Sequence, residues 1–218
     1  MRAPVSGKPL RQDAERNRRR IVSAARDAFA DEGLDASMEE VARRAGVGIG
    51  TVYRRFPDKE ALIDAVFDEA LRDVVAIARE ALGDPDAWRG LCTYLERAME
   101  LNAKNYGLHA VLGSREHGRE RLDAARARMR PLVGKLVERA QEQGTLRPDF
   151  SPRDLPLLFA ATGRVVELTR EADAELWRRF LALLLDGLRT EGATPLPHPP
   201  LRASQLALLG LHRGRRSS

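Results

Sequence analysis

The sequence predicts an all-α protein, on three observations. Apolar residues recur at helical spacing through nearly every long segment, no segment sustains strand-like alternation between turn residues, and cap and breaker residues punctuate the helical stretches. The predicted architecture is a three-helix head containing a helix-turn-helix, joined by a long helix to a larger helical bundle.

From about Asp13 to Glu32, Ile21, Ala25 and Phe29, with Ala24 and Ala28 beside them, form one apolar stripe, and Gly33 stands at the C-cap position. Ser37 with Glu40 three residues later is a capping-box spacing, in which hydroxyl and carboxylate each satisfy an orphan backbone donor. A short helix therefore starts near Met38, with Met38, Val41, Ala42 and Ala45 inward, and Gly46 ends it. A second short helix runs from Ile49 or Gly50 to Phe56, where Pro57 closes it. Asp58 caps a longer helix over Lys59 to Leu82, with Leu62, Ala65, Val66, Leu71, Val74, Val75 and Ala78 at helical spacing. The turn GDPD at Gly83 to Asp86 precedes helices predicted over Ala87 to Asn105, Gly107 to His117, Arg119 to Gln143, Pro152 to Thr169 and Asp173 to Glu191.

Composition narrows the class. The one cysteine, Cys92, excludes an intramolecular disulfide and a cysteine-rich zinc module, as expected of a cytoplasmic protein. No apolar run approaches the roughly 20 residues of a membrane span, so no membrane partner is expected. The formal net charge is +5, and it is concentrated at the ends. Met1 to Arg20 has seven basic residues against Asp13 and Glu15, 7 − 2 = +5, and His198 to Ser218 has four and no acid, +4. A basic arm beside a folded head suits phosphate binding; a solvated tail is the plainer alternative for both ends. The expected organisation is a flexible basic arm over residues 1–13, a head over 14–74 with its motif at about 37–56, a helical body over 75–191, and a proline-rich then basic flexible tail over 192–218.

The stretch AGVGIGTVYRRFPDK, Ala45 to Lys59, has glycines at alternate positions. A dinucleotide cradle needs GxGxxG between a strand and a helix; here the register is GxGxG and the approach MEEVARRA is helical. Two short helices joined by a glycine turn instead describe a helix-turn-helix, with Ala42 at the crossing, Gly46 at the turn, and Val47 and Val52 between the helices. Gly48 and Gly50 then allow close backbone approach to DNA; Thr51 suits a phosphate or thymine methyl, and Tyr53, Arg54 and Arg55 suit base edges or phosphates, with Lys59 on a flanking phosphate. From spacing alone, a plain three-helix core with solvated arginines remains open.

The block RRRIVSAARDAFADEGLDASMEEVARRAGVGIGTVYRRFPDKEALIDAVF, Arg18 to Phe67, resembles the DNA-binding domain of TetR-family transcriptional regulators. The likeness rests on IxxAAxxxFxxxG, AxxAGV, GTVYRRF and PDKEAL. It implies DNA contact near Ser37 and at Gly48, Ile49, Gly50, Thr51, Tyr53, Arg54 and Arg55, with Lys59 on the backbone. Ile49 stands where many relatives carry a polar residue, and Arg55 where many carry His. Ile49 cannot hydrogen-bond a base, which shifts specificity toward Tyr53 and Arg54.

The resemblance weakens past Glu80. It implies a second domain that dimerises and encloses a small apolar or amphipathic effector. Leu158 and Val165 on one late helix, and Trp177, Leu181, Leu184 and Leu188 on the next, are the expected dimer face, with the monomer core as the alternative. Leu95, Met99, Tyr106, His109 and Leu112 are the expected pocket residues, with core packing as theirs. His109 and His117 are not spaced as a metal pair on one helix face, so neither metal nor cofactor is expected. Neither Ser-His-Asp logic nor a paired-carboxylate cleft stands out, so no enzyme is expected. The implied function is a ligand-responsive regulator, most simply a repressor, that binds a palindromic operator in double-stranded DNA as a homodimer. The alternatives are an activator or constitutive DNA binder, or an interaction module with vestigial DNA binding.

Overall fold

The computed structural model describes residues 8–104, 116–169, 171–202 and 204–205. Eight α-helices follow one another among them: α1 (Lys8–Glu32), α2 (Met38–Ala45), α3 (Ile49–Arg55), α4 (Lys59–Leu82), α5 (Ala87–Lys104), α6 (Glu116–Glu142), α7 (Leu155–Thr169) and α8 (Leu176–Leu188). The fold is all-α. The helix expected over Gly107 to His117 falls almost wholly outside the described residues. No helix among them is long and apolar enough to cross a membrane.

The chain divides into two compact units between Ala70 and Leu71, inside α4. In the first, α1 packs on α2 and α2 on α3. Ile21, Val22, Ala25, Ala28 and Phe29 of α1 are buried, as are Val41 and Ala42 of α2, Val52 of α3, and Leu62, Val66 and Phe67 of α4. The apolar period that predicted each helix is thus the period that buries it. One difference lies at the start: α1 begins at Lys8, so half of the expected flexible arm is helical.

The second unit has its own core, built from Ile77, Ala78 and Ala81 of α4, Leu91, Leu95 and Met99 of α5, Val133, Leu136, Val137 and Ala140 of α6, Leu155, and Trp177, Leu181 and Leu185 of α8. Helix α5 packs against α6, α7 and α8, and α7 against α8. The α4–α5 elbow is tight: a Cβ on Gly90 would stand 2.5 Å from the Ala81 carbonyl oxygen. Helix α6 grips that elbow, because Arg139 donates to the Leu82 and Asp84 carbonyls at 2.5 and 2.7 Å. Gln143 accepts from Ala87 N–H at 2.8 Å and donates to the Pro85 carbonyl at 2.9 Å. Carbonyls left open where α4 ends and a donor left open where α5 begins are thereby satisfied.

The segment expected as a free tail is tied down at its start. The buried Arg147 guanidinium binds both Asp149 carboxylate oxygens, at 2.6 and 3.0 Å, the Gly187 carbonyl at 3.2 Å, and the Thr194 carbonyl. Asp149 also accepts from Leu196 N–H at 3.0 Å. The Arg147 guanidinium, then the Leu196 amide, hold the Asp149 carboxyl well down, to about 2. A single antiparallel bridge, Leu146 with Arg189, completes this closure around the end of α8.

Candidate nucleic-acid interface

The site is assembled by caps. Ser37 takes an extended backbone conformation, and its hydroxyl accepts from Glu40 N–H at 3.1 Å, which starts α2. The reciprocal half of the capping box is replaced. The Glu40 carboxylate receives Arg43 at 2.8 and 2.6 Å and Arg44 at 2.6 Å, and these two guanidinium groups lower its pKa to about 2. Arg44 continues to Asp31 at 2.6 Å and Glu32 at 2.7 Å, binding the end of α1 to the end of α2. Sequence reasoning missed this arginine, because its partners lie on another helix.

Gly46 sits at φ 63, where an L side chain is strained, and its N–H bonds the Ala42 and Arg43 carbonyls to close α2. Arg20 of α1 donates to the Ala45 carbonyl at 2.8 Å, so the turn is held from outside the motif as well. Gly48 differs: its φ is −67, open to any residue, and Cβ atoms on Gly48 or Gly50 would meet nothing within 4 Å. The alternating glycines therefore do separate jobs. One is demanded by the turn, and two leave open space at the start of α3.

Helix α3 has two faces. Val52 is 0 % exposed and Phe56, one turn on, is buried, while Ile49 at 37 % and Tyr53 at 45 % are exposed, also one turn apart. Gly50, Arg54 and Arg55 are exposed, and Thr51 is half-buried. Arg54 reaches the Thr51 hydroxyl at 3.4 Å, a weak contact that leaves most of its donors available. Arg18 of α1 lies over the Phe56 ring at 6.0 Å. Asp58 accepts from Ala61 N–H at 2.7 Å and caps α4, which places Lys59 in its first turn. The nine expected DNA-binding residues thus fall between the α2 cap and the first turn of α4, all in the first unit.

The expectations for the second unit need correction. Trp177 and Leu181 are only 2 % and 1 % exposed within one chain, so they have no apolar area left to offer a partner. Leu158, Val165, Leu184 and Leu188 are half-buried. Among the described residues of these two helices, the exposed large apolar side chains are instead Leu176 and Leu183 on α8 and Leu157 and Leu168 on α7. Leu95 and Met99 are packed in the core, whereas Tyr106, His109 and Leu112 lie outside the described residues.

Residues 21–66 match the family of bacterial regulatory proteins, tetR family, and residues 84–190 match the C-terminal domain of SbtR-like transcriptional regulators. A TetR transcription regulatory protein from Mycobacterium vanbaalenii is 36 % identical in sequence, over 83 % of this chain and 99 % of that one, with a TM-score of 0.66. The TetR transcriptional regulator SCO0520 from Streptomyces coelicolor is 30 % identical over 79 % of this chain and 98 % of that one, also with a TM-score of 0.66. An HTH-type transcriptional regulator from Staphylococcus aureus strain USA300 is 44 % identical over 54 residues, 24 % of this chain and 29 % of that protein. That match spans less than a third of the curated relative. A glycine-closed turn, a recognition helix split between buried Val52 and exposed Tyr53, and two whole-length structural relatives at 30 % identity or more lead to one assignment: the chain belongs to the TetR family of helix-turn-helix transcriptional regulators.

Proposed function

We propose that the protein is a cytoplasmic, homodimeric repressor that binds a palindromic operator through α3 and releases it when a small apolar or amphipathic effector enters the second unit. The observation that carries this reading is the two-faced α3, anchored by Val52 and Phe56, with Ile49, Tyr53, Arg54 and Arg55 turned out. On this reading Tyr53 and Arg54 read base edges in the major groove, and Ile49 meets a thymine methyl. Ser37, Thr51, Arg55 and Lys59 bind phosphates, which the open flanks of Gly48 and Gly50 allow to come close.

Dimerisation is supported by the apolar surface of the exposed leucines, Leu157 and Leu168 on α7 and Leu176 and Leu183 on α8, which water would otherwise cover. A two-fold axis through it would present two copies of α3 to two half-sites. Effector response is supported by α4, which begins in one unit and ends in the other, where Arg139 holds its last turn. An effector that prefers the released state by about 1–3 kcal/mol shifts the equilibrium toward it. Duplexes selected from a random pool, then titrated with salt against scrambled duplexes, test the reading. A retained preference for the selected sequence supports it, and equal affinity for both at every salt concentration refutes it.

A further inference from the structure

Ile49 is the first residue of α3 and leaves part of its side chain in solvent. It is 37 % exposed, although isoleucine is among the side chains most often fully buried. Its sequence neighbours are Gly48 and Gly50. Neither has a positive φ, and a Cβ on either would meet nothing within 4 Å, so the turn does not demand a glycine at these two places. What they leave is bare backbone on both sides of one apolar side chain. At about 100° per residue, Tyr53 stands about 40° round the helix from Ile49 and one turn along, while Arg54 and Arg55 start about 140° and 120° away. The neighbour on Ile49's own side of α3 is therefore an aromatic ring, 45 % exposed, and both arginines leave the helix from other sides.

That surroundings selects what the side chain can recognise. In a major groove the base edges offer donors and acceptors, and their apolar feature is the C5-methyl group of thymine. A cytosine methylated at C5 carries the same methyl at the same place. The two pyrimidines differ at C4, where thymine has a carbonyl acceptor and cytosine an amino donor. Ile49 has neither donor nor acceptor on its side chain, and Gly48 and Gly50 add none. It can therefore sense whether C5 is methylated and has no means of sensing C4.

We propose that Ile49 is a reader of the pyrimidine C5-methyl group, favouring thymine over uracil and 5-methylcytosine over cytosine at one position of each half-site, so that DNA binding responds to cytosine methylation there. This role rests on the DNA-binding reading above and adds to it a response to DNA modification. One methyl group buried against Ile49 strengthens binding about fourfold per half-site, and about fifteenfold when both half-sites carry it. The gain is the same in either pyrimidine, because the apolar contact ends at the methyl.

The test uses the full chain and the duplex selected from a random pool, with each thymine replaced in turn by uracil, its adenine partner kept. In wild type one replacement per half-site weakens binding about fourfold. At that position a guanine–cytosine pair is then compared with its 5-methylcytosine form, and methylation strengthens binding by the same factor. Ile49→Ala abolishes both differences, Ile49→Val retains most of each, and both variants melt as wild type does. Uracil at every position without effect, a methyl effect in thymine but none in cytosine, or a methyl effect that survives Ile49→Ala would overturn the assignment; survival in Ile49→Ala with loss in Tyr53→Ala would pass the role to Tyr53. Wild-type protein with no preference among duplexes would overturn the DNA-binding reading beneath it. Sequence preference without methyl dependence would overturn the methyl reader alone.

Discussion

Val52 and Tyr53 are adjacent in sequence and opposite in role, and replacing each by alanine should separate stability from recognition. Val52 is the only buried residue of the seven-residue α3, so its side chain, with Phe56, holds the helix to the first unit. Val52→Ala removes two buried methyl groups. Lost transfer free energy and the cavity left behind together cost about 2 kcal/mol. For a unit of this size that lowers the melting temperature by on the order of 10 °C. Tyr53→Ala removes an exposed ring, for which stability changes stay within about 0.5 kcal/mol. If Tyr53 reads a base, its loss weakens the selected duplex by about 1–3 kcal/mol, about 5- to 150-fold, and leaves scrambled duplexes nearly unaffected. Thermal melting and fluorescence anisotropy on both duplexes read the two quantities independently. A Tyr53→Ala protein that melts as early as Val52→Ala, or loses affinity equally for both duplexes, would refute the two-faced account of α3.

The remaining predictions concern the second unit. Leu168→Asp with Leu183→Asp places charge on side chains 65 % and 62 % exposed in one chain, so it should yield folded monomers by sedimentation; a persistent dimer would move the interface elsewhere. Trp177→Ala should instead destabilise the fold by about 3–5 kcal/mol, as for a buried core aromatic, and a stable, merely monomeric variant would contradict that placement. Gly90→Ala forces a Cβ onto the Ala81 carbonyl oxygen and should lower the melting temperature clearly, whereas Gly134→Ala, with open space, should not. Asp149 has its folded pKa depressed from 3.8 to about 2, so the stability it contributes is present above about pH 4 and lost as pH falls toward 2. The gap in denaturant midpoint between wild type and Asp149→Asn should close over that window, and a gap that persists at pH 2 would show that the clasp does not act through its charge.

Recognition of the first unit was possible from sequence because its signals are local. A hydroxyl at Ser37, a glycine at Gly46, a proline at Pro57 and a carboxylate at Asp58 each act on backbone groups within a few residues, so the motif, its turn and its exposed face could be read in order. Glu40 shows where local reasoning stops. Its spacing from Ser37 promised a reciprocal capping box, yet two arginines one turn ahead compete for the carboxylate, and charge-assisted bonds are the stronger ones.

In the second unit the sequence alone determined helices and little about their orientation. Helix α8 is apolar on most sides, and periodicity cannot rank two apolar faces of one helix. Packing against α5 and α7 decided that Trp177, Leu181 and Leu185 go inward, leaving Leu176 and Leu183 outside. The same holds for Arg147 and Arg139, whose backbone partners lie at least 40 positions away for Gly187 and 55 for Asp84. What the sequence determined by itself was the run of helices and the helix-turn-helix motif, because caps and helical period act over one or two turns. Which apolar face is covered, and which arginine closes which turn, was decided only in three dimensions, where distant segments compete for the same buried space.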